Sequence, residues 1–454
     1  MTTDAISPVM RGLTAYIAQA IDADLPAAVA AKAKHHLLDT LASMISGAHL
    51  PAGKVAVDYG RSQAGPAEAL IAGSSAVVSA VNAAQANGIT AHADETDDSH
   101  FASRSHLGCA VVPAALAMAE REGCNGQALL KAVVLGYDVG GRFTGAVGGD
   151  RFYEAGHSTH SFAPLFGSAA AVGALSGFSE QELRWLLSYT AQQASGVNCW
   201  QRDADHIEKG FDFGGMAARN TVAAATMVQA GFTGVDDVFS GERNFFFTYA
   251  PDDAKPENLL DKLGERYEVM ETNIKKWTVG SPIQAVLDST QALILEHDLG
   301  PDDIAEIIIR MSDKESHVVD NRHMAEINLQ HLTSVMVLDR TVSFATAHDD
   351  ARMETANIQA MKKRITLTPD SSLPRRQPII DIVTSAGRVL NHRTMAVRGT
   401  PENPMDQQEV ADKAFDLLSD ILGADKATGL IEQVWNIEQV ANVRDLRDFM
   451  MPQN

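Results

Sequence analysis

The sequence predicts a mainly α protein: a large all-α helical domain over residues 1–266, completed by C-terminal helices over 404–454, and a smaller α+β domain over 267–403. Three observations lead there. Helical periodicity runs almost unbroken to about residue 265, and strand signals are nearly absent from it. Past residue 266 the pattern changes to short Ile- and Val-rich runs separated by turns, as in IAEIIIRM (304–311). The charged fraction is only 21%, with 34 glycines and abundant alanine, a composition suited to helices in close contact.

Taken in order, the first strong helix is 26–47, opening on Pro26 and closing on Gly47, the usual asymmetry of helix ends. Further helices are expected over 75–90, 109–122, 126–146, 163–176, 180–195 and 215–230. Ser179 and Glu182 have the spacing of a capping box ahead of LRWLLSYTAQQA. A β-like stretch, YEVMETNIKKW, opens the second domain and leads to a helix at 281–297; IAEIIIRM then reads as a buried strand. A helix entered from a loop occupies 323–347, ITLTPD (365–370) is extended, and 378–399 forms a hairpin turning at Ala386-Gly387. QQEVADKAFDLLSDILG returns to helix.

With 37 Lys and Arg against 58 Asp and Glu, the net charge is −21. Nucleic acid and anionic membranes are poor partners for such a surface, because phosphate binding needs cations that displace counterions. Residues 70–93 and 155–179 contain no Asp, Glu, Lys or Arg, yet their Ser, Asn, Gln and His content fits a buried core rather than a bilayer span. Cys109, Cys124 and Cys199 are odd in number and widely separated, which speaks against a disulfide framework or a cysteine zinc site and fits a reducing cytoplasm. Asp4 and Arg11 interrupt any apolar core of a secretory signal, so no targeting segment is expected.

Four clusters could carry chemistry. AHADETDDSHFASRSH (91–106) gathers His92, Asp94, Glu95, Asp97, Asp98, His100 and His106, too many polar groups to bury without partners. It reads first as a solvated interhelical loop, then as a divalent-metal site, although its spacing matches no ligand template, or as an acid/base centre in which His106 works with a carboxylate. AGHSTHSFAPLFG (155–167) sets His157 and His160 before a Gly/Ala-rich helix, whose N-terminus attracts carboxylates; His160 taken alone reads as a hydrogen-bonded loop residue. In HIEKGFDFGGMAARN (206–220), Lys209 precedes the rings of Phe211 and Phe213 and a Gly-Gly turn. In NIKKWTVGSPIQAVLD (273–288), strand alternation would send Lys275 and Lys276 to opposite faces.

In their order along the chain these segments resemble the MmgE/PrpD family of methylcitrate dehydratases, cis-aconitate decarboxylases and an iminodisuccinate epimerase. The resemblance rests on KHHLLDTLASMISGA, NGITAHADETDDSH with His106-x-Gly108, VVPAALAMAE, GHST before FGSAAAVGALSG, GGMAARNTVAAA, NIKKW and RGTPENPMDQQEVADKAFDLL. It implies a homodimer with a cofactor-independent site in the cleft between a helical domain and an α+β lid. The family's acidic motif falls on Glu95, Asp97, Asp98 and Ser99, its histidines on His106 and His157, and its lysines on Lys209 and Lys275. This chain departs from the family at His331, where a tyrosine is common, at Gln284, where a histidine is often found, and at Lys276-Trp277, where Pro-Tyr is usual.

The expected activity is therefore that of a lyase or isomerase that dehydrates, decarboxylates or epimerises a small di- or tricarboxylate. Each of these reactions needs a base or acid at carbon and cations for the developing charge. Lys209, Lys275 and Arg104 are the expected carboxylate clamps, and His106 and His157 the acid/base pair, oriented by Asp97 or Asp98; Glu95, Ser99, Gln284 and His331 complete the substrate-binding set. No cofactor or metal is expected. Two alternatives from other classes are a metal-dependent hydrolase built on His92, Asp94, Asp97, Asp98 and His100, and a non-catalytic helical binding protein.

Overall fold

The computed structural model describes residues 6–63 and 65–453; Asp4, which entered the reading of the N-terminus, lies outside them. The chain forms two compact units, Met1–Thr272 with Val410–Asn454, and Asn273–Glu409. It is mainly α, with a large helical unit and a smaller α+β unit.

In the first unit, helices Gly126–Ala146 and Thr159–Leu175 form a central pair, with Gly108–Glu122, Ala80–Ala91 and Met216–Gln229 packed around it. The pair approaches so closely that a Cβ on Gly167 would stand 2.3 Å from the Gly136 carbonyl oxygen. The scarcity of charge and wealth of small residues thus have a direct structural use. Further along the same pair, the rings of Phe143 and Phe166 stack at 4.0 Å. The Ser179–Glu182 capping box is formed. Two starts differ from expectation. The helix expected over 75–90 begins only at Ala80, because Val77–Val78 pairs as a short ladder with Ala69–Leu70 and Ser79 supplies the N-cap. The helix expected over 163–176 begins at Thr159, so His160 lies in its first turn and Pro164 inside it.

The second unit holds a four-stranded sheet in the order Ile365–Pro369, Ile304–Met311, Ile379–Thr384, Val389–Arg393. The first pair is parallel and the others antiparallel. Ile304–Met311 is not buried throughout: Ile304, Ile307, Ile309 and Met311 face the core while Ala305 is exposed, the alternation of a sheet covered on one side. Helices Gln284–His297 and Leu329–Asp339 supply the cover through Val286, Leu287, Leu332 and Met336, which pack with Ile380 and Ile382. The hairpin turns where expected, with Gly387 at φ 81°. The β-like opening stretch is largely irregular: Glu268–Glu271 is a 3-10 turn and Thr272–Asn273 a two-residue strand. Lys275 and Lys276 therefore sit on no regular strand, although they still diverge, Lys275 being 4% exposed and Lys276 lying over the Trp277 ring at 4.3 Å.

Candidate active site

Three helix ends in the first unit bring histidines together. His92 caps the C-terminus of Ala80–Ala91, His106 lies one residue before the Leu107 N-cap of Gly108–Glu122, and His160 is in the first turn of Thr159–Leu175. A fourth piece closes the group. Ile207–Gly210 is a single helical turn, running into a π-helical turn, Phe211–Gly215, and then into Met216–Gln229. Such π turns are rare and are frequently found at functional sites. Glycine makes this one fit, since a Cβ on Gly214 would stand 2.0 Å from the Gly88 carbonyl oxygen of the neighbouring helix. The close approach seats Phe213 against three imidazoles, stacking on His160 at 3.9 Å and on His92 at 4.3 Å and tilted to His106 at 5.4 Å.

Asp97 is the hub. Its Oδ1 accepts hydrogen bonds from His92 Nδ1 at 2.9 Å and from His106 Nδ1 at 3.1 Å. Burial alone would raise this carboxyl, but the two imidazoles outweigh burial and hold it well below the ordinary carboxylate range. An ionised Asp97 can only accept, so both Nδ1 atoms carry hydrogen and each Nε2 is the proton-exchanging nitrogen. His92 is fully buried, and desolvation lowers its pKa to about 4, whereas the His106 side chain keeps 12% of its surface open. Of the two, His106 is placed to meet a ligand.

Asp98, the neighbouring carboxylate, turns the other way. It accepts from His36 Nδ1 at 2.7 Å, from the Tyr137 hydroxyl and from the Gly108 amide at 3.1 Å, so it anchors the start of the 108–122 helix. The carboxylate in contact with His106 is Asp97. Lys209 Nζ pairs with Glu95 and lies 5.3 Å from the Phe213 ring and 5.8 Å from Trp200. His206, at φ 61°, lies with its ring 5.2 Å from that of His92. Lys413 ties the cluster's loop to the C-terminal helix, donating to Asp39 Oδ1 at 2.6 Å and to the Thr96 carbonyl at 3.0 Å.

Other expected site residues are placed differently. His157 lies just before the Thr159 helix, but its ring stacks on Phe152 at 4.5 Å and meets Phe162 and Tyr249 edge-on; the ring beside His106, at 5.5 Å, is that of His160. Desolvation lowers the pKa of His157 and lowers that of His160 more strongly, with His106 and His92 adding to the latter. Arg104 is half exposed and paired with Asp150 at 2.6 Å, while its carbonyl accepts from Thr159 Oγ1 at 2.8 Å. Ser99 opens the short strand Ser99–His100. Sequence reasoning passed over His160 and omitted His206, His36 and Phe213 from the site. For His160 the available signal was its position at the start of an uncharged helix.

In the second unit, the Gln284 amide is spent on the backbone, accepting from the Trp277 amide at 3.0 Å and donating to the Trp277 and Val279 carbonyls at 2.7 and 3.0 Å. His331 is fully buried, neither ring nitrogen has a hydrogen-bond partner among the described residues, and desolvation lowers its pKa to about 4.

The five residues considered for a hydrolytic metal site are not gathered around one point. Asp94 bonds the amide and hydroxyl of Thr96, Asp98 bonds His36, and His100 bonds Ser103 at 2.8 Å. Among the described residues, the groups that do converge are His92, Asp97 and His106, and His92, Glu95 and His206. No helix among them is long and apolar enough to cross a membrane.

The fold and site define a two-unit, mainly α protein with a buried carboxylate shared by two imidazoles. The MmgE/PrpD N-terminal domain matches residues 11–257 and the MmgE/PrpD C-terminal domain residues 277–439, so the chain belongs to the MmgE/PrpD family. A cis-aconitate decarboxylase-like protein of Aspergillus oryzae is 29% identical over 275 residues, covering 56% of this chain and 54% of the relative. A cis-aconitate decarboxylase of Aspergillus terreus is 24% identical over 280 residues, covering 58% and 56%. The chain spans about half the length of the curated relatives it matches.

Proposed function

We propose that this protein is a lyase or isomerase acting on a small di- or tricarboxylate by acid/base chemistry that needs no cofactor. The observation that carries the reading is the single Asp97 oxygen accepting from both His92 and His106. An ionised carboxylate behind one nitrogen fixes the tautomer and orientation of His106 and leaves its other nitrogen to exchange protons. Of dehydration, decarboxylation and epimerisation, the relatives' names favour decarboxylation.

In that reaction the bond to one carboxylate breaks, CO2 departs, and its electron pair remains as a carbanion conjugated with the rest of the substrate. The protonated His106 then delivers a proton to carbon. Lys209 neutralises a remaining carboxylate, and the N-terminus of the Thr159 helix favours negative charge beside it. Lys275 is proposed as a second clamp, His157 as a second proton-transfer group, and Arg104, Glu95, Ser99 and His331 as further substrate-contacting groups, whereas Gln284, its amide bonded to the Trp277 and Val279 backbone, is left to shape its loop. A homodimer is proposed on the family resemblance.

The test is a panel of citrate-like, aconitate-like and amino-dicarboxylate compounds, followed by proton NMR and thermal denaturation. Turnover of one class is expected. Neither turnover nor thermal stabilisation by any of them overturns the substrate class. Stoichiometric metal whose removal abolishes turnover overturns the cofactor-free mechanism.

A further inference from the structure

One corner of the cluster has more nitrogen lone pairs than hydrogen atoms to satisfy them. The Nδ1–H of His92 is committed to Asp97, which leaves Nε2 as the lone-pair nitrogen; that atom is buried and has no hydrogen-bond partner. Among the described residues, His206 Nε2 likewise is buried without a hydrogen-bond partner. One potential ligand atom from each of His92, Glu95 and His206 lies within 4.8 Å of the other two. Two imidazole nitrogens and a carboxylate oxygen are a donor set for zinc and similar divalent ions, and a carboxylate behind a ligating imidazole, as Asp97 is behind His92, orients the ring and raises its basicity.

We propose that His92, Glu95 and His206 form a binding site for a divalent transition cation of the zinc class, and that this cation competes with the Lys209 ammonium for Glu95. The residues differ from those considered for a hydrolytic centre, of which only His92 is retained. Ligand atoms around tetrahedral zinc stand about 3.3 Å apart, so the site must contract on loading. His206 can provide that movement, since it lies in a connecting segment rather than within a helix. Lys209 occupies the carboxylate when the cation is absent, giving the acid a partner in either state. Loading releases Lys209 from Glu95 and places a dication beside His106, so the cation acts as an inhibitor. That last consequence rests on the function proposed above; the binding does not.

The test uses the full chain, stripped with chelator and dialysed. Zinc is titrated by calorimetry in competition with a chromophoric chelator, and cobalt(II) is titrated separately to read coordination from its visible spectrum. One zinc equivalent and the intense cobalt bands of a four-coordinate N/O site are expected. His206→Gln is expected to weaken binding at least about tenfold, and Lys209→Met, which removes the competing ammonium, to tighten it several-fold. His49→Gln, a histidine in another part of the unit, leaves affinity unchanged. Absence of a stoichiometric site, or affinity indifferent to His206→Gln, overturns the proposal; affinity unchanged in Lys209→Met overturns the competition. Because affinity is read without substrate, these results stand even if no carboxylate is turned over.

Discussion

Asp97 and Asp98 are adjacent in sequence and identical in chemistry, yet one holds two imidazoles of the candidate site while the other fastens a helix N-terminus through His36, Tyr137 and Gly108. Their variants should fail differently. Asp97→Asn keeps the side-chain volume and loses the charged acceptor that holds the Nδ1 hydrogens of His92 and His106, so kcat is expected to fall about 100-fold or more with little change in the folded spectrum. Asp98→Asn should show its loss first in thermal denaturation, because a buried acceptor for three donors has been compromised. Steady-state kinetics and circular dichroism on the two proteins separate these outcomes. At the next pair, His157→Ala should lower kcat through lost proton transfer, whereas His160, clamped flat on Phe213, should act through the position of His106 and shift the pH profile. The sequence marked the loop and the histidine types, but which carboxylate faces which ring depends on how three separate helix ends meet. No local pattern encodes that.

Among the elements, the π turn at Phe211–Gly215 contributes most to the site. Gly214 and Gly215 were legible as a turn, while the extra residue in it was not, because its cause is the surface of another helix. A methyl group on Gly214 collides with backbone rather than with a movable side chain. Gly214→Ala is therefore expected to cost about 3 kcal/mol in urea denaturation and to displace Phe213 and Lys209. The 407–422 helix makes an equally specific contact, its Lys413 reaching Asp39 and the Thr96 carbonyl. Desolvation raises the Asp39 carboxyl to about 6 even with that lysine beside it. Lys413→Met should destabilise the first unit by about 3 kcal/mol, since it strands a buried acid. Amphipathic periodicity made the helix itself plain, whereas a buried lysine on it looks like any solvated one in sequence.

Over the whole molecule, the net charge of −21 belongs to an exterior around helices whose contacts are made by Gly, Ala and Phe. The fold class was legible because packing of this kind leaves periodicity and composition as its trace. Some buried acids connect this interior to pH. Desolvation raises Asp212, which accepts from Ser158, to about 7, and raises Glu120 to about 7 despite Arg447. An acid whose folded pKa is raised contributes stability that is complete below its unfolded value near 4 and is lost as pH rises through about 7. Asp212→Asn, which keeps a neutral group at that position, removes that loss, while His92 and His331, whose pKa values burial lowers to about 4, work in the opposite direction. The thermal midpoint of Asp212→Asn relative to wild type should therefore rise between pH 5 and 7; a difference that stays constant over that range would contradict it.

The central claim is that His106, backed by Asp97, exchanges a proton with a substrate carbon beside a carboxylate. Its most direct test is proton and deuterium NMR of turnover in heavy water, with wild type and His106→Asn compared on the compound the panel identifies. For wild type, solvent deuterium should appear at that carbon in the product or, for a reversible dehydration, in the recovered substrate. His106→Asn should lose the incorporation together with turnover. Product formed with no solvent deuterium at that carbon, or a His106→Asn protein that incorporates it at the wild-type rate, would contradict the mechanism.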